Sequence, residues 1–227
     1  LPEEVISKRV QGIRVIFPDR TEKCLTEEGY VLEKHLFERW IADEAVAAGA
    51  KMHLGHKLQS MERMEDGNFE GWRCNGKGDE FPIEAKVVID ASGVAAVCSK
   101  LVKTSEGKPL NEKGKVVAGM QYELTGVPTD GYLDFYIWPS YAEKGYLWMI
   151  PKCDGRANVG LVTEDRPRAK KALDEFIDDT HFKDSEQVLP PWKEKGSPAF
   201  GGTIPISGPF ENTHHDGLLL VGDAAGF

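Results

Sequence analysis

The chain has 227 residues and a formal net charge of −9, with no clustered stripe of Lys and Arg, which argues against nucleic acid as a partner. It is 41% hydrophobic and 29% charged, as is typical of soluble globular proteins, and no apolar run is long enough to cross a bilayer. We therefore predict a cytoplasmic protein and leave open a peripheral membrane contact through a local basic or apolar patch.

The first fifth of the chain predicts two strands and a helix. Residues 10–17 are rich in β-branched side chains and end at a Pro-Asp turn, and a short strand at 23–25 is expected to pair with them. Over residues 34–48, apolar side chains recur every three or four positions, which predicts an amphipathic helix with one buried face. Gly49 is a suitable stop signal for that helix.

Short strand-like runs follow, and they predict an antiparallel meander that leads into one fully apolar strand. An Asp-Gly pair at 66–67 supplies the positive φ that a tight hairpin turn needs. The apolar strand ends in Asp-Ala-Ser-Gly, and a helix is expected after it. The predicted strands are 51–54, 57–63, 69–74, 81–84 and 87–89, and the predicted helix is 94–102.

The second half of the chain predicts a larger antiparallel sheet behind a polar, Gly-rich loop at 103–114. A helix at 168–179, opened by Pro167, precedes a last apolar strand at 218–221, which we expect to be buried on both faces. The order of elements predicts a mixed α/β fold, in which an antiparallel sheet interrupts a parallel one. The predicted strands of the larger sheet are 116–124, 132–138, 146–150 and 158–163.

Cysteine and histidine spacing predicts neither a disulfide framework nor a metal site. The four cysteines are far apart and lack Cys-x-x-Cys spacing, so each is expected to be a buried small hydrophobe in a reducing compartment. His214 and His215 are adjacent, and neighbouring side chains do not face one site.

The turn after the last strand is the first candidate ligand site. In open α/β sheets, ligands bind at the edge where such a strand ends. Gly222 permits a sharp turn, and the carboxylate of Asp223 can accept hydrogen bonds from sugar or ribitol hydroxyls. A helix that began at the following alanines would direct its free N–H groups at a phosphate. The residues alone fit an ordinary buried strand with a tight turn equally well.

Three segments carry a resemblance to the para-hydroxybenzoate-hydroxylase-like flavoproteins. Residues 221–227, Val-Gly-Asp-Ala-Ala-Gly-Phe, resemble the second flavin motif, which implies FAD as cofactor and Asp223 as its ribitol partner. Residues 30–49 resemble the helix whose Arg meets the cofactor, a position that Lys34 holds here, although a plain solvated Lys is the alternative. Residues 87–93, Val-Val-Ile-Asp-Ala-Ser-Gly, resemble the strand that ends in Asp-Gly, although a simple strand-to-helix turn is the alternative. The implied cofactor contacts are Lys34, Ser92, Gly93, Gly222, Asp223, Ala224, Ala225 and Gly226.

A fourth segment is the most informative about substrate. Residues 145–151, Gly-Tyr-Leu-Trp-Met-Ile-Pro, followed by Asn-Val-Gly at 158–160, are similar to the Tyr-x-Trp-x-Phe-Pro and Asn-Val-Gly pattern of the geranylgeranyl reductase family. Alternation along a strand projects Tyr146, Trp148 and Ile150 from one face. The resemblance implies that these three residues and Pro151 line a prenyl-binding wall. Aromatic side chains that merely fill a core are the alternative from the residues alone.

Together, the resemblances imply an FAD-dependent oxidoreductase that reduces prenyl double bonds on a lipid precursor, with NADPH or ferredoxin as an undetermined electron donor. They imply a partial Rossmann-like FAD-binding parallel sheet with an inserted antiparallel substrate-binding sheet. The Gly-x-Gly-x-x-Gly fingerprint is absent, so we expect this sequence to be an internal piece of a longer protein. No catalytic residue is assigned. The predicted domains are 1–102 and 207–227 for the cofactor and 103–206 for the substrate.

Two alternative functions stay open. Residues 145–151 also resemble the Gly-Trp-x-Trp-x-Ile-Pro motif of flavin-dependent halogenases, with Tyr146 in place of the first Trp, so a monooxygenase or halogenase is the first alternative. The second alternative is that residues 1–227 by themselves form an inactive module that holds no cofactor.

Overall fold

The computed structural model describes residues 1–65, 70–77, 82–103, 106–112, 114–182 and 189–227, with residues 179–182 as backbone. The chain forms two compact units, Leu1–Ala50 with Val117–Gly202 (unit 1) and Lys51–Val116 with Thr203–Phe227 (unit 2). The helices are α1 (Lys34–Ala47), α2 (Val97–Leu101) and α3 (Ala169–Phe182). The strands are β1 (Ile6–Ile16), β2 (Glu22–Leu32), β3 (Lys57–Glu65), β4 (Glu70–Lys77), β5 (Ile83–Ala85), β6 (Val88–Asp90), β7 (Val116–Thr125), β8 (Tyr132–Tyr136), β9 (Tyr146–Pro151), β10 (Ala157–Thr163), β11 (Glu194–Lys195), β12 (Phe200–Pro205), β13 (His214–His215) and β14 (Leu218–Leu220).

The large sheet of unit 1 has the strand order β11-β7-β10-β9-β8-β1-β2, and β12 also pairs with β7. Strands β7, β10, β9 and β8 pair antiparallel, which confirms the sheet predicted from residues 116–163. Strand β8 then joins β1 in parallel, and β1 pairs antiparallel with β2. The mixed α/β fold class predicted from the sequence is confirmed.

The core of unit 1 lies between this sheet and α3. Alternate residues of the strands point towards the helix, as Leu147 and Met149 of β9 do, and both are almost fully buried. Phe176 of α3 is fully buried and lies 5.5 Å from the ring of Tyr136 and 5.4 Å from that of Tyr141, measured between ring centroids. Aromatic packing of this kind stabilises the helix against the sheet.

Helix α1 matches its predicted bounds within one residue, but the prediction of a buried face is wrong. None of its residues is buried, and Leu36, Ile41 and Val46 are 37%, 47% and 48% exposed. Apolar periodicity specifies that a helix has an apolar face, but it carries no information about what covers that face.

The described residues of unit 2 form two three-stranded sheets. In one of them, β3, β4 and β5 form the predicted meander, whose expected Asp-Gly turn lies outside the described residues. The prediction of a strand at 51–54 is wrong, because that segment is irregular. The predicted helix at 94–102 is reduced to α2, because Ala96 adopts a left-handed conformation with φ 42° and interrupts it.

The other sheet of unit 2 has the order β13-β14-β6. Strands β14 and β6 are parallel neighbours, with Leu218 opposite Val88 and Leu220 opposite Asp90. Leu218 and Leu220 are buried, whereas Leu219 is 42% exposed, so the expectation that this strand is buried on both faces is wrong. Burial alternates from residue to residue along β14, so one face of the strand packs on the core and the other does not.

Within the described residues, no helix has both the length and the apolar character to cross a membrane.

The cysteines differ in burial, which leads to a labelling prediction. Cys98 is buried, and its burial, with a further contribution from the Asp90 carboxylate, raises the pKa of its thiol from 9.0 to about 12. Cys24 is exposed, so the expectation that every cysteine is buried is wrong. At pH 8 we expect a thiol reagent to modify the exposed Cys24 readily, whereas the buried Cys98, whose raised pKa leaves very little thiolate, reacts only on unfolding. Peptide mapping of the labelled chain tests this, and equal labelling rates at the two residues would contradict it.

Candidate functional site

The carboxyl ends of β6 and β14 meet at one edge of the β13-β14-β6 sheet, because the two strands are parallel. The short turn at Gly93–Ala95 follows β6, the turn at Gly222–Ala225 follows β14, and the two turns are in contact. The structure therefore brings together the predicted cofactor residues of two separate segments. We call these two turns the sheet rim.

Asp90 holds the first turn of the sheet rim in place. Its buried carboxylate accepts hydrogen bonds from the backbone N–H groups of Ser92, at 2.9 Å, and Cys98, at 2.8 Å. The Ser92 hydroxyl oxygen in turn accepts from the N–H of Val97 at 2.9 Å. Sequence reasoning named Ser92 but missed Asp90, although an Asp at the end of an apolar strand is a signal for such a turn.

The second turn of the sheet rim leaves a carboxylate free. Asp223 is exposed, and within the described residues its carboxylate has no hydrogen-bond or ion-pair partner. Gly222 has φ 55° and Gly93 has φ 66°, and a Cβ added to either would meet no atom within 4 Å. Both residues have a positive φ, which favours glycine, and both leave open space in front of the backbone. Gly226 is different, because a Cβ there would lie 2.6 Å from the carbonyl oxygen of Gly208.

Beside the first turn lies a cavity of about 370 Å³, within the usual range for small-molecule sites. Its apolar wall includes Leu58, Val88 and Ile89, and its polar groups include Lys57 and Ser92. All of its lining residues belong to unit 2. The cavity combines an apolar surface for a planar ring with a few polar groups that could orient it.

The second candidate region is the face of the unit 1 sheet turned away from α3, which we call the outer face. Along β9, Tyr146, Trp148 and Ile150 alternate with the buried Leu147, Met149 and Pro151. The structure thus brings the first three predicted substrate residues to the outer face. Pro151 lies on the opposite, buried side of the strand.

An aromatic group occupies the outer face. The ring centroid of Tyr146 lies 5.7 Å from that of Phe135 and 6.1 Å from that of Trp148. Phe135 is directly opposite Trp148 in the pairing of β8 with β9. Sequence reasoning missed Phe135, because its place beside Trp148 depends on a strand register that one sequence does not specify.

Lys34, the remaining predicted cofactor contact, lies in unit 1 at the start of α1. Its side chain is 84% exposed, and its ammonium nitrogen lies 3.5 Å from a carboxylate oxygen of Glu38, one helical turn further on. An exposed pair of this kind contributes little to stability. A role for Lys34 at a cofactor stays a prediction.

A buried ionic cluster ties the N-terminal strands of unit 1 to the β9–β10 hairpin. Glu33 accepts hydrogen bonds at 2.7 Å from each of Ser7, Lys152 and Arg156. A carboxylate oxygen of Glu123 lies 3.1 Å from both Lys152 Nζ and Arg156 Nη1. The cluster contains two carboxylates and two cations, so its formal charges cancel. Sequence reasoning missed it, because it joins residues far apart in the chain.

The pKa of Glu33 reflects this environment. Burial acts to raise it, but the hydrogen bonds from Lys152, Ser7 and Arg156 outweigh burial and lower the pKa from 4.5 to about 2. Glu33 is therefore ionised at neutral pH and is held in place by charge-assisted bonds. The cluster anchors the hairpin that carries Trp148, and within it every charged group is paired with an opposite charge.

Comparison with known proteins bears on both regions. Residues 116–190 match a family model described as the geranylgeranyl reductase catalytic domain. This match spans the strands that form the outer face. The resemblance to geranylgeranyl reductases predicted from the sequence is confirmed.

Two relatives of this chain are named digeranylgeranylglycerophospholipid reductases. That of Methanocaldococcus jannaschii is 34% identical over 98% of this chain and 56% of its own length. That of Methanosarcina acetivorans is 32% identical over 95% of this chain and 53% of its own length. The chain thus spans about half the length of the curated relatives that it matches.

Solved structures with the same fold include a geranylgeranyl bacteriochlorophyll reductase-like protein from Thermoplasma acidophilum. It superposes with a TM-score of 0.80 at 26% identity, over 99% of this chain and 57% of that one. A flavin-dependent brominase superposes with a TM-score of 0.71 at 17% identity, over 98% of this chain and 56% of that one. The second likeness concerns the fold alone. The reductase-like fold is therefore shared with a flavin-dependent enzyme.

Proposed function

We propose that the natural protein carrying this sequence is an FAD-dependent oxidoreductase that reduces prenyl double bonds of a digeranylgeranyl glycerophospholipid. The observation that carries the proposal is the aromatic outer face, which coincides with the segment that matches the reductase catalytic domain. The names of the two archaeal relatives support the lipid as substrate. Because such a lipid resides in a membrane, the proposal includes a peripheral contact with the bilayer.

The sheet rim fits a flavin cofactor. Open space in front of Gly93 and Gly222 permits close approach of a ligand to the backbone, and the free Asp223 carboxylate can accept hydrogen bonds from ribitol hydroxyls. The cavity beside the first turn has the size and the apolar wall to take part of the nucleotide. We therefore assign Ser92, Gly93 and the segment 222–226 to FAD binding.

The outer face supplies the substrate side of the reaction. When bound and reduced, FAD supplies a hydride for one carbon of the alkene. Tyr146, Trp148 and Phe135 form an apolar wall, which would hold an extended prenyl chain by burying its methyl groups and keeping water away. Ile150 continues this wall along β9. The protein's contribution is to orient the alkene, and the donor of the accompanying proton is not assigned.

A turnover experiment tests this function. The natural protein is incubated anaerobically with FAD, excess dithionite and a digeranylgeranyl glycerophospholipid, and the lipid is analysed by mass spectrometry. We expect the lipid mass to increase by the mass of two hydrogens for each double bond reduced. An unchanged lipid, with oxygen-dependent modification of an aromatic substrate instead, would favour the monooxygenase or halogenase alternative.

Trp148→Ala tests the prenyl wall within the same assay. Trp148→Ala removes the largest side chain of the aromatic group, and we expect turnover of the long prenyl lipid to fall about tenfold, the equivalent of ~1.4 kcal/mol of lost contact. The matched control is Trp40→Ala, a half-buried tryptophan in α1 that is not on the outer face. Equal turnover in wild type and Trp148→Ala would contradict the assignment of this wall.

A further inference from the structure

A single row of residues crosses the outer face from β8 to β7. Phe135 lies opposite Trp148, Trp148 lies opposite Gly160, and Gly160 lies opposite Gln121. Side chains that are directly opposite on paired strands share one face of the sheet. The row therefore places a large indole and an amide on either side of a residue that has no side chain.

Gly160 leaves the space that the indole occupies. A Cβ at this position would lie 2.4 Å from Cζ2 of Trp148, far closer than side-chain carbons approach one another. The indole therefore extends over β10 at Gly160, towards β7. A glycine in the middle of a strand weakens that strand, so its presence here is explained by the close approach of another group.

Gln121, on the other side of Gly160, contacts the indole through a hydrogen bond. Trp148 Nε1–H donates a hydrogen bond to Gln121 Oε1 at 3.2 Å, and the contact is partly buried. The indole N–H can only donate, and a partly buried donor that is left without an acceptor destabilises the folded state. This bond and the space above Gly160 together select one orientation of the indole.

We propose that Gln121 is a positioning residue, which fixes the Trp148 indole across Gly160 and thereby sets the shape of the prenyl wall. The role for substrate rests on the proposed function, whereas the orientation of the indole does not. With the indole held over Gly160, the ring keeps its place in the aromatic group with Tyr146 and Phe135. Without the bond, the ring would be free to rotate away and to leave the wall uneven.

Gln121→Met and Gln121→Glu form the test pair. Methionine is close to glutamine in length and shape but offers no oxygen acceptor, whereas glutamate retains the acceptor oxygen. Gln11→Met, at an exposed position on β1, is the matched control for the same exchange. Gly160→Ala is a less clean variant, because its Cβ would also lie 2.5 Å from the backbone oxygen of Met120.

The first readout is the indole N–H resonance of Trp148 in the protein labelled with ¹⁵N-tryptophan, assigned through its loss in Trp148→Phe. We expect an upfield proton shift in Gln121→Met, as for a lost hydrogen bond, and a resonance near the wild-type position in Gln121→Glu and Gln11→Met. A wild-type shift in Gln121→Met would overturn the proposal. This readout needs neither cofactor nor substrate.

The second readout is the kinetics of prenyl reduction. We expect Gln121→Met to raise KM for the long prenyl lipid by about 2- to 10-fold with a smaller effect on kcat, and Gln121→Glu to restore most of the loss. An unchanged KM in an active Gln121→Met enzyme would overturn the role in substrate binding. If the wild type reduces no prenyl lipid, the proposed function fails, and the resonance alone then decides whether Gln121 positions the indole.

Discussion

Glu33→Gln is expected to lower the free energy of unfolding by about 3–5 kcal/mol, because it removes one of the two carboxylates that compensate the two cations of the cluster and leaves a net positive charge there. Lys152 is only 8% exposed, and Arg156 shares the same carboxylate at 2.7 Å. The amide of Gln offers one acceptor oxygen but no charge, so the two cations must then share the single carboxylate of Glu123. Chemical denaturation of the two proteins, followed by circular dichroism, measures the difference.

The control for this prediction is Glu38→Gln, an acid on the exposed side of α1 whose side chain is 63% exposed. We expect its effect on unfolding to stay below about 0.5 kcal/mol, as for exposed ion pairs in helices. Equal effects of the two substitutions would contradict the assignment of the cluster as a structural anchor.

The lowered pKa of Glu33 makes the stability of the folded chain depend on pH. The pKa of Glu33 is lowered from 4.5 to about 2 in the folded chain, so the unfolded chain binds the proton first on acidification. Its stabilising contribution is therefore complete above about pH 4.5 and is lost as the pH falls towards 2. Over this range, we expect the wild type to lose more stability than Glu33→Gln, whose side chain does not titrate.

Asp223→Ala is expected to weaken flavin binding by the natural protein by about 10- to 100-fold. A carboxylate that accepts hydrogen bonds from a ligand typically contributes ~1.5–3 kcal/mol, and Asp223 has no partner among the described residues that would compete for it. Titration of FAD against the apoprotein, followed by flavin fluorescence, gives the dissociation constants of both proteins.

Glu211→Ala is the control for flavin binding, since Glu211 is an exposed acid in the same unit that does not lie in either turn of the sheet rim. We expect its affinity for FAD to match that of the wild type. If Asp223→Ala bound FAD as tightly as this control, the sheet rim would lose its assignment as the ribitol site.

Local sequence pattern was sufficient to predict most of the strands. The apolar runs that end near Asp90 and Gly222 are short, lack alternation and are followed by small residues, which is typical of strands in a parallel sheet. That β6 and β14 are direct neighbours is a finding of the structure. The strand predicted at 51–54 was wrong, because a short run with so few apolar residues does not distinguish a strand from irregular structure.

The interactions that organise the two regions were not predictable, because they depend on register and on contacts distant in sequence. Trp148 and Gln121 share one row only because β10 places Gly160 between them. Glu33 and Lys152 meet across 119 positions of sequence. A pattern within one segment specifies which face of that segment is apolar, and the identity of its partners follows only from the fold.

The most direct test of the central claim is a single turnover of the natural protein with bound FAD that has been photoreduced under anaerobic conditions. The flavin absorbance is recorded after a digeranylgeranyl glycerophospholipid is added, and the lipid is then analysed for saturation. The proposed function predicts that the flavin becomes oxidised in proportion to the double bonds reduced. Flavin that stays reduced until oxygen is admitted, with the lipid unchanged, would contradict it.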